Sequence, residues 1–243
     1  MEVLEDRAAA EEDTSGDRNE TFGDAQSRAI GGPVFTLEKS IFDNMKKDFT
    51  DYGIKVFRSQ NKAIRDLKRM HRPSFHGFRV WPSSWLLIDY FKCMPLARSS
   101  KILDVGCGWG LAGIYCVKNH SSIVTCVDRD PEVFPYVRLH AKINNVDITT
   151  LEKGFEELSG KQIKSHEIMI GADICFWDEM VEVLKSLILR AFQFGIKTVI
   201  IADPGRTPFE SLGRYFIDQG RGQVMNREVN HPHYFQGRLL IIK

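Results

Sequence analysis

Residues 103–110 read Leu-Asp-Val-Gly-Cys-Gly-Trp-Gly, which puts Gly106, Gly108 and Gly110 into one short stretch. Glycines this dense let a ligand approach the backbone, or let the chain turn where a side chain would forbid it. Spacing narrows the ligand. Counted from Gly106, a dinucleotide fingerprint needs a glycine where Leu111 stands, and a Walker loop needs a following Gly-Lys-Ser/Thr that the sequence lacks. Asp104, two residues before Gly106, repels phosphate and suits an amine-bearing cation. One apolar run later, "TCVD" ends on Asp128, where an acidic side chain can grip ribose hydroxyls. A cation carrying a ribose and an amine but no phosphate satisfies both carboxylates: S-adenosylmethionine.

Those residues need a scaffold, and the surrounding pattern supplies one. Short apolar runs at 101–105, 123–128, 146–151, 167–172 and 197–203 read as strands. Helical periodicity falls between them at 109–119, 131–144, 176–193 and 207–219, and a further helix carrying Trp85, Leu86, Ile88 and Phe91 starts at a Ser83 or Ser84 cap. Continuously apolar strands alternating with helices predict a parallel sheet covered on both faces, an α/β fold. "GQVMNREV" and "GRLLIIK" have no helix between them and predict an antiparallel hairpin that finishes the sheet. In such sheets ligands bind beyond the carboxyl ends of the strands where strand order reverses, and the glycine loop follows the first strand of the core.

Ahead of this core the sequence changes character. Residues 1–30 are acidic and polar and predict a disordered tail. Residues 31–80 predict a helical extension, with one helix placing Ile41, Phe42, Met45, Phe49 and Tyr52 on a face and a second over "NKAIRDLKRMHR". The core domain then runs over 81–243. Net charge is +1, from 33 basic and 32 acidic residues, so bulk charge gives no warrant for a nucleic-acid or membrane partner. No apolar run approaches bilayer length and the amino terminus has no signal-like apolar core, which predicts a cytoplasmic protein. The five cysteines form no C-x-x-C pair, as expected in a reducing compartment.

The stretch "KILDVGCGWGLAGIYCVKNHSSIVTCVDRDPEVFPYVRLHAKINNV" resembles the core of the seven-stranded, class I S-adenosylmethionine-dependent methyltransferases. "GFRVWPSSWLLIDYF", "GADICFWDEM" and "IADPGRTPF" resemble the lysine-methyltransferase-like branch, marked by a Trp-Pro pair before the core and an (Asp/Glu)-x-x-(Tyr/Phe) motif after the fourth strand. The resemblance covers roughly residues 76–243. It implies a Rossmann-like three-layer sandwich with a seven-stranded, mostly parallel sheet. By position it assigns Gly106, Gly108 and Gly110 to the methionine and ribose of the cofactor, with Asp104 beside them. Asp128 falls on the ribose, Trp81 on the outer wall, and Phe155 and Glu156 near the adenine. Ala172 closes the cofactor group and leads into Asp173-Ile174-Cys175-Phe176 beside the transferred methyl. Asp173 and Phe176 are then the catalytic candidates: Asp173 accepts hydrogen bonds from an amine, and Phe176, Trp177 and Trp81 wall it in. Phe176 stands where many relatives carry Tyr, so a phenolic hydroxyl is missing.

The resemblance implies methyl transfer to nitrogen, first of all to a lysine side chain of a protein. A small-molecule amine or an arginine nitrogen is the alternative acceptor, and a catalytically silent cofactor-binding interaction module is the alternative from another class. Three features stay open at this level. Trp109 faces the cofactor or seats the following helix. Arg206, in "DPGR", orders the active-site floor, meets an acidic substrate, or belongs only to a turn. The basic positions Lys62, Arg65, Lys68, Arg69 and Arg72 read as a solvated face before they read as a site, and His231 and His233 lack the partners a metal needs.

Overall fold

The sheet is built as the alternation dictates. The computed structural model describes residues 49–74 and 76–243, all within the unit Ser40–Lys243. The predicted tail over 1–30 and the helix expected over 34–48 lie outside the described residues.

Two short strands, β1 (Phe49–Asp51) and β2 (Ile54–Val56), open the described chain, followed by helices α1 (Lys62–Met70) and α2 (Ser83–Cys93). The core then runs β3 (Lys101–Val105), α3 (Leu111–His120), β4 (Ile123–Asp128), α4 (Phe134–Asn144), β5 (Thr149–Glu152), α5 (Gly160–Lys164) and β6 (Ile168–Ala172). It closes with α6 (Glu179–Gln193), β7 (Thr198–Asp203), α7 (Thr207–Asp218), β8 (Gly222–Val229) and β9 (Phe235–Ile242). Strand order is β5-β4-β3-β6-β7-β9-β8, parallel except that β9 runs antiparallel to both β7 and β8.

Alternation along each strand feeds two cores. Ile102 points into one cluster with Leu86 of α2, Ile114 of α3 and Val137 of α4. Leu103 and Val105 point into the other with Ile163 of α5, Leu184 of α6 and Phe209 of α7. α6 shows why the helices sit where they do: Leu184, Leu187, Ile188 and Ala191 bury one stripe, with Glu179 and Glu182 in the first turn and Arg190 in the last. Each buried leucine or isoleucine of this stripe contributes about 1.5 to 3 kcal/mol. Because β4 and β5 lie on one side of β3 and β6 and β7 on the other, chain order reverses at β3, and the glycine loop leaves its carboxyl end.

Four local expectations need correction. The helical pattern expected through Tyr52 does not hold over its described end: Phe49–Asp51 is a strand paired with Ile54–Val56. Tyr52 (φ 49°) and Gly53 (φ 78°) both take the left-handed region, the signature of a tight hairpin turn, and Ile54 and Val56 alternate buried around exposed Lys55. The hairpin docks on α4 through Asn144, whose side chain accepts from Lys55 N at 2.7 Å and donates to Lys55 O at 2.8 Å. The second correction concerns α2, whose N-cap is Pro82 with no side-chain cap, so neither Ser83 nor Ser84 caps it. Third, the strand expected from 146 starts at Thr149, because Asn145 (φ 55°) ends α4 in the left-handed region. Fourth, the helix expected from Phe176 starts at Glu179, because Asp173 turns at φ 55° and leads into a loop.

Candidate active site

A cleft of about 760 Å³ opens over the carboxyl ends of β3, β4 and β6. Its floor is the glycine loop. Gly106 (φ 61°), Gly108 (φ 51°) and Gly110 (φ 72°) all sit in the left-handed region that L side chains avoid. A Cβ on Gly106 would stand 2.6 Å from Ile174 Cγ2, so that glycine is required by contact as well as by φ. A Cβ on Gly108 would meet nothing within 4 Å, so the backbone there is bare to the cleft.

Two carboxylates hold this loop from below and beside. Asp104 is buried, and its Oδ2 accepts from Gly113 N at 3.2 Å, in the first turn of α3, where a helix favours negative charge. Burial nonetheless dominates and pushes the Asp104 carboxyl up to about 7. Asp128, at the end of β4, accepts from Gly108 N at 3.1 Å through Oδ2 and from Asp130 N at 3.1 Å through Oδ1. Asp128 itself lines the cleft, where its carboxylate fits a ribose diol. Burial raises the Asp128 carboxyl above its ordinary range as well.

Of the residues singled out in the sequence, Trp81, Gly106, Gly108, Asp128, Phe155, Glu156, Ala172, Asp173 and Phe176 all line this cleft. Asp104 and Gly110 lie beneath it, around a void of about 20 Å³ that Gly106 and Gly108 also touch. Phe155 is fixed through its carbonyl, which accepts from Arg190 Nη2 at 2.7 Å. Trp81 is buried, its indole N–H donating to His76 O at 2.7 Å. Trp109 is resolved: its ring stacks on Tyr136 at 4.9 Å and donates to Gly77 O at 3.0 Å, so it seats α3 against α4. His231 lies 3.8 Å from Asp51 and does not line the cleft. In α1, Lys62 and Arg69 pair with Asp66, as a solvated face does.

The end of the cleft opposite the ribose is aromatic. The Phe176 ring carries His76 stacked at 4.1 Å and 14°, and the Arg206 guanidinium at 4.3 Å from its centroid. Trp81 meets Phe176 edge-on at 5.2 Å, and Trp177, half exposed, lies 5.5 Å from His76. Asp173 borders the cleft, but its carboxylate is turned into a buried ion-pair network. Its side chain has no exposed area; Oδ1 accepts from Arg206 Nη1 at 2.8 Å and Oδ2 from Ser83 N at 3.0 Å. Arg206 Nη1 also reaches Asp203 Oδ2 at 2.8 Å, while Asp203 Oδ1 accepts from the amides of Gly205 and Arg206. Burial raises the Asp203 carboxyl to about 6. His76 was not anticipated from the sequence, since a lone histidine nearby Trp81 carries no motif. It is held uncharged, down to about 4, first by burial and then by Arg206 and Arg79.

The fold is that of the class I S-adenosylmethionine-dependent methyltransferases, and the bare Gly108 backbone and the Asp128 carboxylate fit that cofactor. The methyltransferase small domain family matches residues 75–166. Among curated proteins, the chain is 29% identical over 132 residues to the electron transfer flavoprotein beta subunit lysine methyltransferase of Xenopus laevis, covering 54% of this chain and 53% of that one. It is 33% identical over 171 residues to the histidine protein methyltransferase 1 homolog of Mus musculus, covering 65% of this chain and 45% of that one. The chain thus spans about half the length of these relatives. The solved human methyltransferase 10 domain containing protein shares the fold at TM-score 0.52 and 13% identity, over 74% of this chain and 94% of that one.

Proposed function

We propose that this protein transfers a methyl group from S-adenosylmethionine to a side-chain nitrogen of a protein, with lysine as the acceptor. The observation that carries methyl transfer is the arrangement of one cleft: a bare glycine turn and Asp128 at one end, an aromatic wall at the other. When bound, the cofactor supplies an electrophilic methyl on a sulfonium, and the chain's residues supply position. Most of the catalysis in such a displacement can come from holding the two reactants in near-attack geometry. Asp128 would hold the ribose and the Gly106–Gly108 backbone would receive the cofactor, while Trp81, Phe176 and Trp177 exclude water around the acceptor. Apolar walls also favour the neutral amine over the ammonium, and only the neutral amine has a lone pair.

Charge supports lysine. Asp128, Asp130, Glu152, Glu156 and Glu157 line the cleft against Arg129 and Lys153, an acidic surround that attracts a cationic side chain. A second acceptor, histidine, is supported by Arg206 close beneath Phe176, since a neutral imidazole tolerates a nearby guanidinium better than an ammonium does. The relatives carry both activities in their names.

The experiment is to incubate the protein with methyl-labelled S-adenosylmethionine and a cell lysate, then separate macromolecules from metabolites. Label in the protein fraction is expected. Label confined to small molecules would replace the protein acceptor with a small-molecule amine, and no label at all would leave only a binding module.

A further inference from the structure

We infer that His76 is a catalytic residue of this site: its imidazole accepts a hydrogen bond from the acceptor nitrogen and aims that nitrogen's lone pair along the cleft. The inference rests on the methyl-transfer reading above. Three observations carry it.

The ring lines the cleft and its orientation is fixed, stacked on Phe176 at 4.1 Å and edge-on to Trp81 at 5.3 Å. The hydrogen bond shown for His76 is made by its backbone carbonyl, which accepts from the Trp81 indole, while the residue itself lines the cleft. The carboxylate that the family motif offers for this task is taken: both Asp173 oxygens already have donors, and the side chain is closed off. The charged groups around His76 are Arg79, Arg206 and Asp173, and the two guanidiniums together with burial keep the imidazole uncharged. A neutral imidazole accepts a hydrogen bond at every pH at which an acceptor amine has lost its proton, so His76 needs no proton of its own to act. The acceptor's ammonium gives its proton to solvent first; His76 then holds an N–H while the nitrogen lone pair is free to attack.

The test keeps the ring and removes the nitrogens. His76→Phe preserves an aromatic surface against Phe176, and methyl transfer to the protein fraction of a lysate should fall on the order of 10- to 100-fold in kcat. Calorimetric affinity for S-adenosylmethionine should match the wild type, because His76 lies at the acceptor end. Adding imidazole to His76→Ala should restore part of the lost turnover, which a purely structural role would not produce. Wild-type turnover by His76→Phe, or no response of His76→Ala to imidazole, overturns the assignment. Failure of the wild type itself to label protein would instead overturn the methyl-transfer reading, so the two failures are distinct.

Discussion

Arg206 places Nη1 2.8 Å from Asp173 Oδ1, and that bond ties the loop after β6 to the loop after β7. The same nitrogen reaches Asp203, and the guanidinium lies against Phe176, so one side chain fixes the carboxylates and the aromatic wall together. Arg206→Met leaves two buried carboxylates without their cation, which costs about 3 to 5 kcal/mol of stability. Urea unfolding should show that loss, with Arg206→Lys losing less. Asp203, already raised to about 6 by burial, is pushed higher in the variant, so its deficit should grow as pH rises from about 5 to 8. A deficit that shrinks with pH would mean the pairing is not what holds these loops.

Asp128 holds the loop through Gly108 N and Asp130 N and at the same time lines the cleft. Asp128→Ala should weaken S-adenosylmethionine binding by roughly 10- to 100-fold, the worth of one or two hydrogen bonds to a charged group. Titration calorimetry measures it. Unchanged affinity would remove the ribose assignment.

Asp104 makes stability depend on pH. Its folded value near 7 lies above the unfolded value of an aspartate, because burial disfavours the charge. The stability it contributes is therefore full below about pH 4 and is lost as pH rises through about 7. Relative to Asp104→Asn, the wild type should lose up to about 1.4 kcal/mol per pH unit across that window. Paired urea titrations at several pH values read this directly, and parallel curves for the two proteins would contradict it.

Gly106→Ala combines a left-handed φ with a Cβ 2.6 Å from Ile174 Cγ2. The backbone term alone costs about 1 to 2 kcal/mol. Displacing Ile174 disturbs the cleft floor, so thermal stability and cofactor affinity should fall together. An alanine variant that binds S-adenosylmethionine normally would show that this approach is not needed.

The sheet was legible because its strands are apolar on both faces and its helices carry stripes, as in Leu184, Leu187, Ile188 and Ala191. The hairpin at Phe49–Val56 was missed because Phe49 and Tyr52 fit a helical spacing, while the informative signal was local, Tyr52-Gly53 before an alternating Ile-Lys-Val. The glycine loop and Asp128 could be read because their chemistry follows from spacing along one chain segment. The acceptor end could not. It is assembled from His76, Phe176 and Arg206, which come from three separate loops, and no linear pattern shows that Arg206 already occupies Asp173.

The most direct test of the account is to map the methyl group. Proteins labelled by the wild-type enzyme and S-adenosylmethionine would be digested and the modified residue located by mass spectrometry, with Asp128→Ala as the control. The account predicts added methyl groups on lysine side chains with the wild type and greatly reduced labelling with the variant. Methyl groups on histidine would exchange the acceptor for the second reading, and equal labelling with and without Asp128 would contradict the site itself.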